Sequence, residues 1–457
     1  MNTPTTREIC QKAKLITLSN ISDQPALVAK NLILDGIGVM IAGMSHPTIN
    51  ILSDHVKGLG CKSISPIYGQ GFKTSPQEAA FINGAATHVL DFEPMFLPPT
   101  HVVSPVLAGL LALAHSDADN ASGEKFLTAF IAGVQLQADL RKAAKQHDAS
   151  ASHEKRHFPF QKQGFHPPGT VGALGSALTS GLWLGLSQDE LAMAIGIAAS
   201  RSSGLAGNIG TMTKSTHCGH ASRVGVESAL LAKKGFTASV ATFEGASGWG
   251  QVYGGDYFDR ELLLKGMSAL DCFSDPGFAF KKWPAHTAMQ VAIDAAIPLY
   301  RNGEVPKRVR ISSPVFKYCD RPNPIDSDAC RFSFQYNVAL GILDGFVDFD
   351  SYTEERLNKE DMQTLLKRIT LDMDPNIQST FGTMEIKIEL DDARKSLSDR
   401  WPGHWKSPAS QDELKDKFRR CTGSLLGEKN SEKIADKIMR LEQGNNLQSI
   451  LSILNSA

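Results

Sequence analysis

The stretch GALGSALTSGLWLGL, residues 172–186, decides the fold class. It consists mostly of glycine, alanine, serine and leucine, so a helix over it offers small side chains against which another helix packs closely. AGLLALAH, residues 108–115, has the same character. The spacing of apolar residues predicts helices of this kind over 25–43, 76–89, 103–115, 123–140, 169–185, 188–200 and 219–234. The first half of the chain is therefore expected to be a body of buried helices.

The pattern changes after about residue 265. Between residues 305 and 392, the segments KRVRISS and MEIKIELDD alternate apolar and polar residues, which is the period of half-buried strands. The sequence also predicts helices over 285–300, 331–346 and 360–368, and helical periodicity returns over 409–456. The later part of the chain is thus expected to form a smaller α+β unit followed by a helical tail.

Composition excludes several classes of protein. The 457 residues include 47 basic and 48 acidic ones, so no bulk field attracts nucleic acid or an anionic membrane. Seven cysteines lack CxxC spacing, which favours reduced thiols over a disulfide framework or a zinc cluster. The start, MNTPTTREICQ, has no apolar signal core, and no apolar run was expected to approach about 18 residues. We expect an intracellular protein, cytoplasmic or mitochondrial, with no nucleic-acid or membrane partner.

Three common catalytic signatures do not account for this sequence. HEKRH, residues 153–157, matches the zinc-protease motif HExxH, but it lies in a polar stretch, 141–165, that reads as a long surface loop without an apolar helical stripe. We therefore predict no metal site there. There is no GxxxxGK[ST] phosphate loop and no GxSxG nucleophile elbow.

Basic and polar side chains instead recur beside turns and helix starts. In HVLDFEPMFLPPTHVVSP, residues 88–105, two histidines and an aspartate bracket an apolar, proline-rich run that must form an ordered loop. Elsewhere, GFHPPG, GTMTKSTHCGHASR, KKWPAH and SFQY carry His166, Lys214, His217, His220, Lys281, Lys282 and Tyr336. Each residue alone is more often structural than catalytic. Together they predict a locally basic pocket suited to a di- or tricarboxylate.

These segments resemble, in order, the motif series of the MmgE/PrpD family. NGAATHVLDF, THVVSPVLAGLLAL, GFHPPGTVGALGSA, KKWPAHTAMQVAIDAA and RFSFQYNVALGILDG carry the resemblance over essentially the whole chain. Overall it is strongest to the cis-aconitate decarboxylase branch. The resemblance implies a mainly α fold, with a large all-α domain of residues 1–265 and 400–457 and a smaller α+β lid domain of residues 266–399. It also implies a homodimer that uses neither a metal nor an organic cofactor.

The resemblance also implies which residues act. Carried over by position, the family's catalytic residues fall on Asp91, His101, His166, Lys214, Lys281 and Tyr336. His101 with Lys281 or Lys214 would handle protons, Asp91 would orient a histidine, and Tyr336 would bind the substrate. Residues expected to contact the substrate are Met95, Phe96, Leu97, Thr100 and His217.

The loop between Asp91 and His101 departs from the decarboxylase branch, where it is polar. Its apolar side chains suit either a hydrocarbon substituent on the substrate or a contact with a lid or a second subunit. We therefore expect a lyase that dehydrates an alkylcitrate to an alkyl-substituted aconitate. The alternatives are cis-aconitate decarboxylation to itaconate, epimerisation of iminodisuccinate, and a non-catalytic dimer that binds a tricarboxylate.

Overall fold

The computed structural model describes residues 3–144, 164–274, 277–377 and 384–456. HEKRH and most of the 141–165 stretch lie outside these described residues. The chain divides into two compact units: unit 1 holds Met1–Val89, Glu93–Phe278 and Ser410–Ala457, and unit 2 holds Leu90–Phe92 and Ala279–Ala409. The sequence expectation set these changes at 265/266 and 399/400. The first change falls later because the segment just after residue 259 forms a helix that packs within unit 1. The second falls later because Trp401 packs in the apolar cluster of unit 2.

Unit 1 is helical, apart from a hairpin of β1, Ser65–Ile67, and β2, Phe72–Thr74, and the two-residue strand β3, Met95–Phe96. Within its described residues, the first ten helices are α1 Thr5–Lys14, α2 Asp23–Gly43, α3 Pro47–Gly58, α4 Pro76–Val89, α5 Val103–Ser116, α6 Gly123–Ala143, α7 Pro167–Trp183, α8 Gln188–Ala199, α9 Thr213–Lys233 and α10 Arg260–Ala269. The chain returns to unit 1 through α16 Gln411–Leu426, α17 Glu428–Met439 and α18 Asn446–Asn455.

Close helix contacts through small residues organise unit 1. Helix α9 packs against α4 and α7. Where α9 crosses α4, a Cβ on Gly84 would lie 3.0 Å from the Cα of Gly219, and a Cβ on Gly219 would lie 2.2 Å from the carbonyl oxygen of Phe81. Where α9 crosses α7, a Cβ on Gly225 would lie 2.2 Å from Ser176 Oγ. Backbones this close leave no room for larger side chains, as the small-residue composition predicts.

Helix α2 lies in the core of unit 1. The side chains of Asp35 on α2 and Lys417 on α16 form a buried ion pair, with Nζ 2.6 Å from Oδ2. By length and composition, α2 is long and apolar enough to cross a membrane, but 72% of its apolar window is buried inside the protein. A core helix meets the same criterion. The expectation that no apolar run approaches this length overlooked α2, because Lys30 and Asp35 interrupt its sequence.

Unit 2 contains a four-stranded sheet packed against helices. The strand order is β6–β5–β7–β8, for strands β5 Val309–Ser313, β6 Ile369–Met373, β7 Ile386–Leu390 and β8 Lys395–Ser398. β5 pairs in parallel with β6 and antiparallel with β7. The helices in the part of unit 2 that the structure describes are α11 Thr287–Ala296, α12 Ser327–Cys330, α13 Phe334–Asp344, α14 Glu354–Leu357 and α15 Glu360–Leu366. The short strand β4, Phe278–Ala279, lies at the unit boundary.

The sheet has one buried face. Val309 and Ile311 of β5 and Ile386 and Ile388 of β7 are buried, and the residues between them are more exposed. This alternation is the pattern that predicted the strands. The inward residues share one apolar cluster with α11 and α13. The expected fold class, a large all-α domain with a smaller α+β domain, is confirmed.

Candidate active site

Four histidines of unit 1 form a cluster, which we call the histidine cluster: His88, His101, His166 and His217. His88 is in the last turn of α4, His101 precedes α5, His166 precedes α7, and His217 is in α9. Their side chains are buried, and ring centroids lie 4.5 Å apart for His88 and His101, 5.8 Å for His88 and His166, and 5.2 Å for His166 and His217. Unit 1 therefore brings together three histidines singled out by sequence and adds a fourth, His88.

The start of α7 orients His166. The helix begins at Pro167 rather than at Gly169 as expected, because the first helical positions need no backbone N–H donor. His166 thus occupies the N-cap position, and its backbone N–H donates to the carbonyl of Gly204 at 2.9 Å. Gly204 has φ +122°, and a Cβ there would lie 3.1 Å from the His217 ring. Glycine at this position therefore allows the His217 ring to lie against the backbone.

His166 and His217 are hydrogen-bonded to each other, with their Nδ1 atoms 3.0 Å apart. Burial, together with the positive charge of Lys214, lowers the pKa of His217 to about 4. His217 is therefore neutral near pH 7, and one ring of the pair donates while the other accepts. Lys214 lies in the first turn of α9 and is only 8% exposed. It supplies a cation next to this imidazole pair.

Glu93 connects the cluster to the start of α5. Its carboxylate is fully buried and lies 2.7 Å from Nδ1 of His88. The backbone N–H and hydroxyl of Ser104 donate to its two oxygens at 3.0 and 2.8 Å. Nδ1 of His101 lies 3.6 Å from Oε1. Glu93 is therefore a carboxylate that contacts the histidine cluster in unit 1, and the expectation that Asp91 orients a histidine stays a prediction.

Asp91 and Lys281 form a buried pair within unit 2. Lys281 Nζ donates to the carbonyl oxygen of Asp91 at 2.6 Å and to its Oδ1 atom, and both residues are almost wholly buried. Asp91 adopts φ 50°, in the left-handed region that aspartate tolerates better than most residues. The sequence-predicted residues thus fall into two groups, Asp91 with Lys281 in unit 2 and the histidines with Lys214 in unit 1.

Tyr336 lies in the core of unit 2. Its hydroxyl donates to the carbonyl of Ser351 at 2.6 Å, and its side chain is fully buried. Burial raises the pKa of Tyr336, so the phenol stays protonated. A substrate contact by Tyr336 stays a prediction; while its hydroxyl donates to Ser351, the hydroxyl oxygen can accept a hydrogen bond but has no second hydrogen to donate.

The apolar loop before His101 is buried. β3 ends at Phe96, which exchanges backbone hydrogen bonds with Thr100 at 3.0 and 3.2 Å. The Phe96 ring lies 5.3 Å from the ring of Phe278, and Lys142 Nζ lies 5.6 Å from the centre of the Phe96 ring. Met95 and Leu97 are also buried. The described residues offer no hydrogen-bond partner to the buried hydroxyl of Thr100, which leaves it able to bind a ligand.

His88, Glu93 and Cys218 are close enough to be considered as cation ligands, since their ligand atoms lie within 4.8 Å of one another. Two ligands of one tetrahedral zinc ion stand about 3.3 Å apart, given bonds of about 2 Å. The closest nitrogen and oxygen of His88 and Glu93 are 2.7 Å apart, and Ser104 also binds both oxygens of this carboxylate. This geometry favours a hydrogen bond over shared coordination.

Glu93 and Ser104 are site residues that were not predicted from the sequence. The available signal was a single acid inside an apolar, proline-rich run, followed eleven residues later by a serine at a helix start. Such an acid indicates a buried partner, because an unpaired carboxylate is costly to bury. Its partners could not be named from the sequence, since the loop path between Glu93 and Ser104 is set by tertiary contacts.

Comparison with known proteins matches both parts of the chain to one family. A family model described as the MmgE/PrpD N-terminal domain covers residues 7–261, and one described as the MmgE/PrpD C-terminal domain covers residues 283–443. The chain belongs to the MmgE/PrpD family. The resemblance carried by the ordered motifs is thereby confirmed.

Several curated relatives align over most of this MmgE/PrpD chain. Proteins named cis-aconitate decarboxylase from Mus musculus and Homo sapiens are each 30% identical over 93% of this chain, covering 88% and 89% of the relatives. One from Aspergillus terreus is 24% identical over 98% of this chain and 96% of the relative. These relatives support an enzyme, a lyase that acts on a tricarboxylate.

Proposed function

We propose that this MmgE/PrpD protein is a cis-aconitate decarboxylase that forms itaconate. The observation that supports this proposal is the packing of the loop before His101. The ring of Phe96 lies against Phe278 and beneath Lys142, inside unit 1. Core packing therefore accounts for an apolar residue that had suggested an alkyl-bearing substrate. The names of the three relatives support the same choice.

The reaction needs cations and one proton donor. The bond between the methylene carbon of cis-aconitate and its carboxylate breaks, and carbon dioxide leaves. The electron pair stays on carbon and delocalises over the adjacent double bond, so negative charge develops between the two remaining carboxylates. A proton added at the far end of this system gives itaconate. Positively charged and hydrogen-bonding groups near the substrate stabilise the intermediate, and an acid completes the reaction.

The proposed roles follow from the chemistry of each group. His101, close to the carboxylate of Glu93, is the proposed proton donor. Lys214 is a proposed carboxylate ligand, and His166 with the neutral His217 offers hydrogen bonds to the same substrate. The hydroxyl of Thr100 is a further proposed substrate contact.

Lys281 and Asp91 are proposed to act as a pair. The ammonium group supplies positive charge for the developing carbanion, and Asp91 fixes its position through two hydrogen bonds. A direct substrate contact by Tyr336, carried over from the family, stays part of the proposal, whereas contacts by Met95 and Leu97 belong to the second candidate function.

The experiment is incubation of purified protein with cis-aconitate, 2-methylcitrate and a long-chain alkylcitrate in separate reactions. We expect release of carbon dioxide and formation of itaconate from cis-aconitate alone. A rise in conjugated absorbance with an alkylcitrate, without carbon dioxide from cis-aconitate, would refute the proposal. The variant Lys214→Met should lose most of the activity, and Lys62→Met, which changes an exposed lysine, should retain it.

Dehydration of an alkylcitrate is the second candidate. The observation that favours it is the apolar character of Met95 and Leu97, which are buried in the loop before His101. Under this alternative, Met95→Thr and Leu97→His should shift selectivity from long to short substrates.

The proposed homodimer is tested separately by light scattering, where a mass near 49.4 kDa would refute it.

A further inference from the structure

Glu93 is held in place more firmly than its position in a loop suggests. Its two oxygens accept from the backbone N–H and hydroxyl of Ser104, and Oε1 also contacts Nδ1 of His88. Ser104 is in the first turn of α5, and Val102, the N-cap residue, makes no side-chain cap. Glu93 therefore supplies the cap for α5 from eleven residues away in sequence. Both the N–H donors and the positive end of the helix dipole favour its ionised form.

An ionised carboxylate has consequences for the two histidines near it. A carboxylate accepts but does not donate, so Nδ1 of His88 must carry the hydrogen in the 2.7 Å contact. His88 is thereby fixed in one tautomer when it is neutral. The same Oε1 atom lies 3.6 Å from Nδ1 of His101, where a negative charge favours the imidazolium form.

We propose that Glu93 is a positioning residue of the reaction: it fixes the tautomer of His88 and holds His101 as a charged proton donor. The assignment of His101 as donor rests on the proposed function, whereas the assignment of the His88 tautomer does not. Glu93 acts through the imidazoles, and Ser104 holds Glu93.

The groups that face Glu93 come from several elements of unit 1. They are His88 of α4, His101 and Ser104 at the start of α5, and Cys218 of α9. His166 follows through its ring contact with His88. Because several of these groups titrate, the experiment must observe each histidine separately rather than infer its state from activity alone.

The first measurement uses the wild-type protein with ¹⁵N-labelled histidine and no substrate. We expect the nitrogen shifts of His88 to report hydrogen on Nδ1. Hydrogen on Nε2 in the wild type would overturn the proposal without any variant. Single histidine substitutions, His88→Gln and His101→Gln, assign the signals.

The second measurement compares Glu93→Gln with a matched control, Glu78→Gln. In Glu93→Gln, the amide oxygen accepts from Ser104 and the amide N–H₂ faces His88, so we expect hydrogen to move to Nε2 of His88. We also expect the imidazolium form of His101 to be less favoured, because the negative charge 3.6 Å from its Nδ1 is removed. Glu78 is a buried acid in α4, paired with Arg223 at 2.7 Å, and its substitution should change neither histidine. Equal effects of the two variants would overturn the proposal.

Kinetics provide the third readout. With cis-aconitate, Glu93→Gln should lower kcat about 100-fold and change KM by less than about threefold, since the loss is in orientation rather than in binding. Glu93→Asp keeps the charge and should recover part of kcat. A KM effect without a kcat effect would overturn the role in catalysis. Failure of the wild type to decarboxylate cis-aconitate would refute the proposed function, but it would leave the tautomer result intact.

Discussion

Replacing Gly219 with alanine tests whether close helix packing positions the histidine cluster. The new Cβ would lie 2.2 Å from the carbonyl oxygen of Phe81, whereas close C···O contacts are about 3.3 Å. Helix α9 must therefore move about 1 Å away from α4. His217 is two residues from Gly219 on α9, and His88 is in the last turn of α4. The displacement would thus change the position of one imidazole relative to the other.

A control glycine separates the cost of overpacking from the gain in helix propensity. Overpacking of this kind costs about 1–3 kcal/mol, while alanine in a helix gains up to about 1 kcal/mol over glycine. Gly423 of α16 has open space around its Cα, so Gly423→Ala should show the gain alone. The free energies of unfolding of the two variants should differ by about 1–3 kcal/mol in urea titrations.

Activity should respond more strongly than stability. A shift of about 1 Å in a catalytic group costs about 100-fold in rate, so Gly219→Ala should lose most of its kcat while remaining folded. Gly423→Ala should keep wild-type kcat. If Gly219→Ala matched Gly423→Ala in stability and kept its rate within about twofold, the contact between α4 and α9 would not be what positions the histidines.

Four further predictions concern single groups. Phe96→Ala should lower the free energy of unfolding by about 3–5 kcal/mol without changing substrate choice. Altered selectivity would instead place the ring at the substrate. Lys281→Met should cost about 3–5 kcal/mol because Asp91 is left charged and buried, and adding Asp91→Asn should recover much of it in thermal or urea unfolding. The pKa of His217 is about 4 in the folded protein and about 6.5 in the unfolded chain. Its contribution to the free energy of unfolding is therefore fully present above about pH 6.5 and is lost as the pH falls towards 4. In urea titrations, His217→Gln should lose less stability than the wild type over this pH range. Activity should survive a metal chelator, and loss restored by added zinc would contradict the expected metal independence.

The helices of unit 1 could be predicted from sequence because their small and apolar residues recur with helical period. Boundaries were less accurate where tertiary contacts decide them. Helix α9 begins at Thr213, six residues before the predicted start, since Lys214 and His217 are polar residues that the structure nevertheless buries. The strand order in unit 2 could not be predicted, because β5 pairs with β6 and β7 across more than 50 residues.

The sequence predicted which residues belong to the candidate site better than it predicted which of them contact each other. The motif series identified His101, His166, Lys214 and Lys281, but the sequence offered no distance between them. Asp91 was expected to orient a histidine, yet it pairs with Lys281, and Glu93, two residues later, contacts His88. Two acids so close in sequence cannot be told apart by pattern, since their partners lie on elements far away in the chain.

The hydrogen bonds of Glu93 have a consequence for how this protein can evolve. Replacing a catalytic residue commonly increases the stability of an enzyme, because the arrangement that activity requires is often unfavourable for folding. Glu93 caps α5 and also contacts two histidines, so both demands fall on the same carboxylate. Random mutagenesis selected for thermostability should therefore leave this acid unchanged. Stability screens would retain it even in a population that had lost all selection for activity.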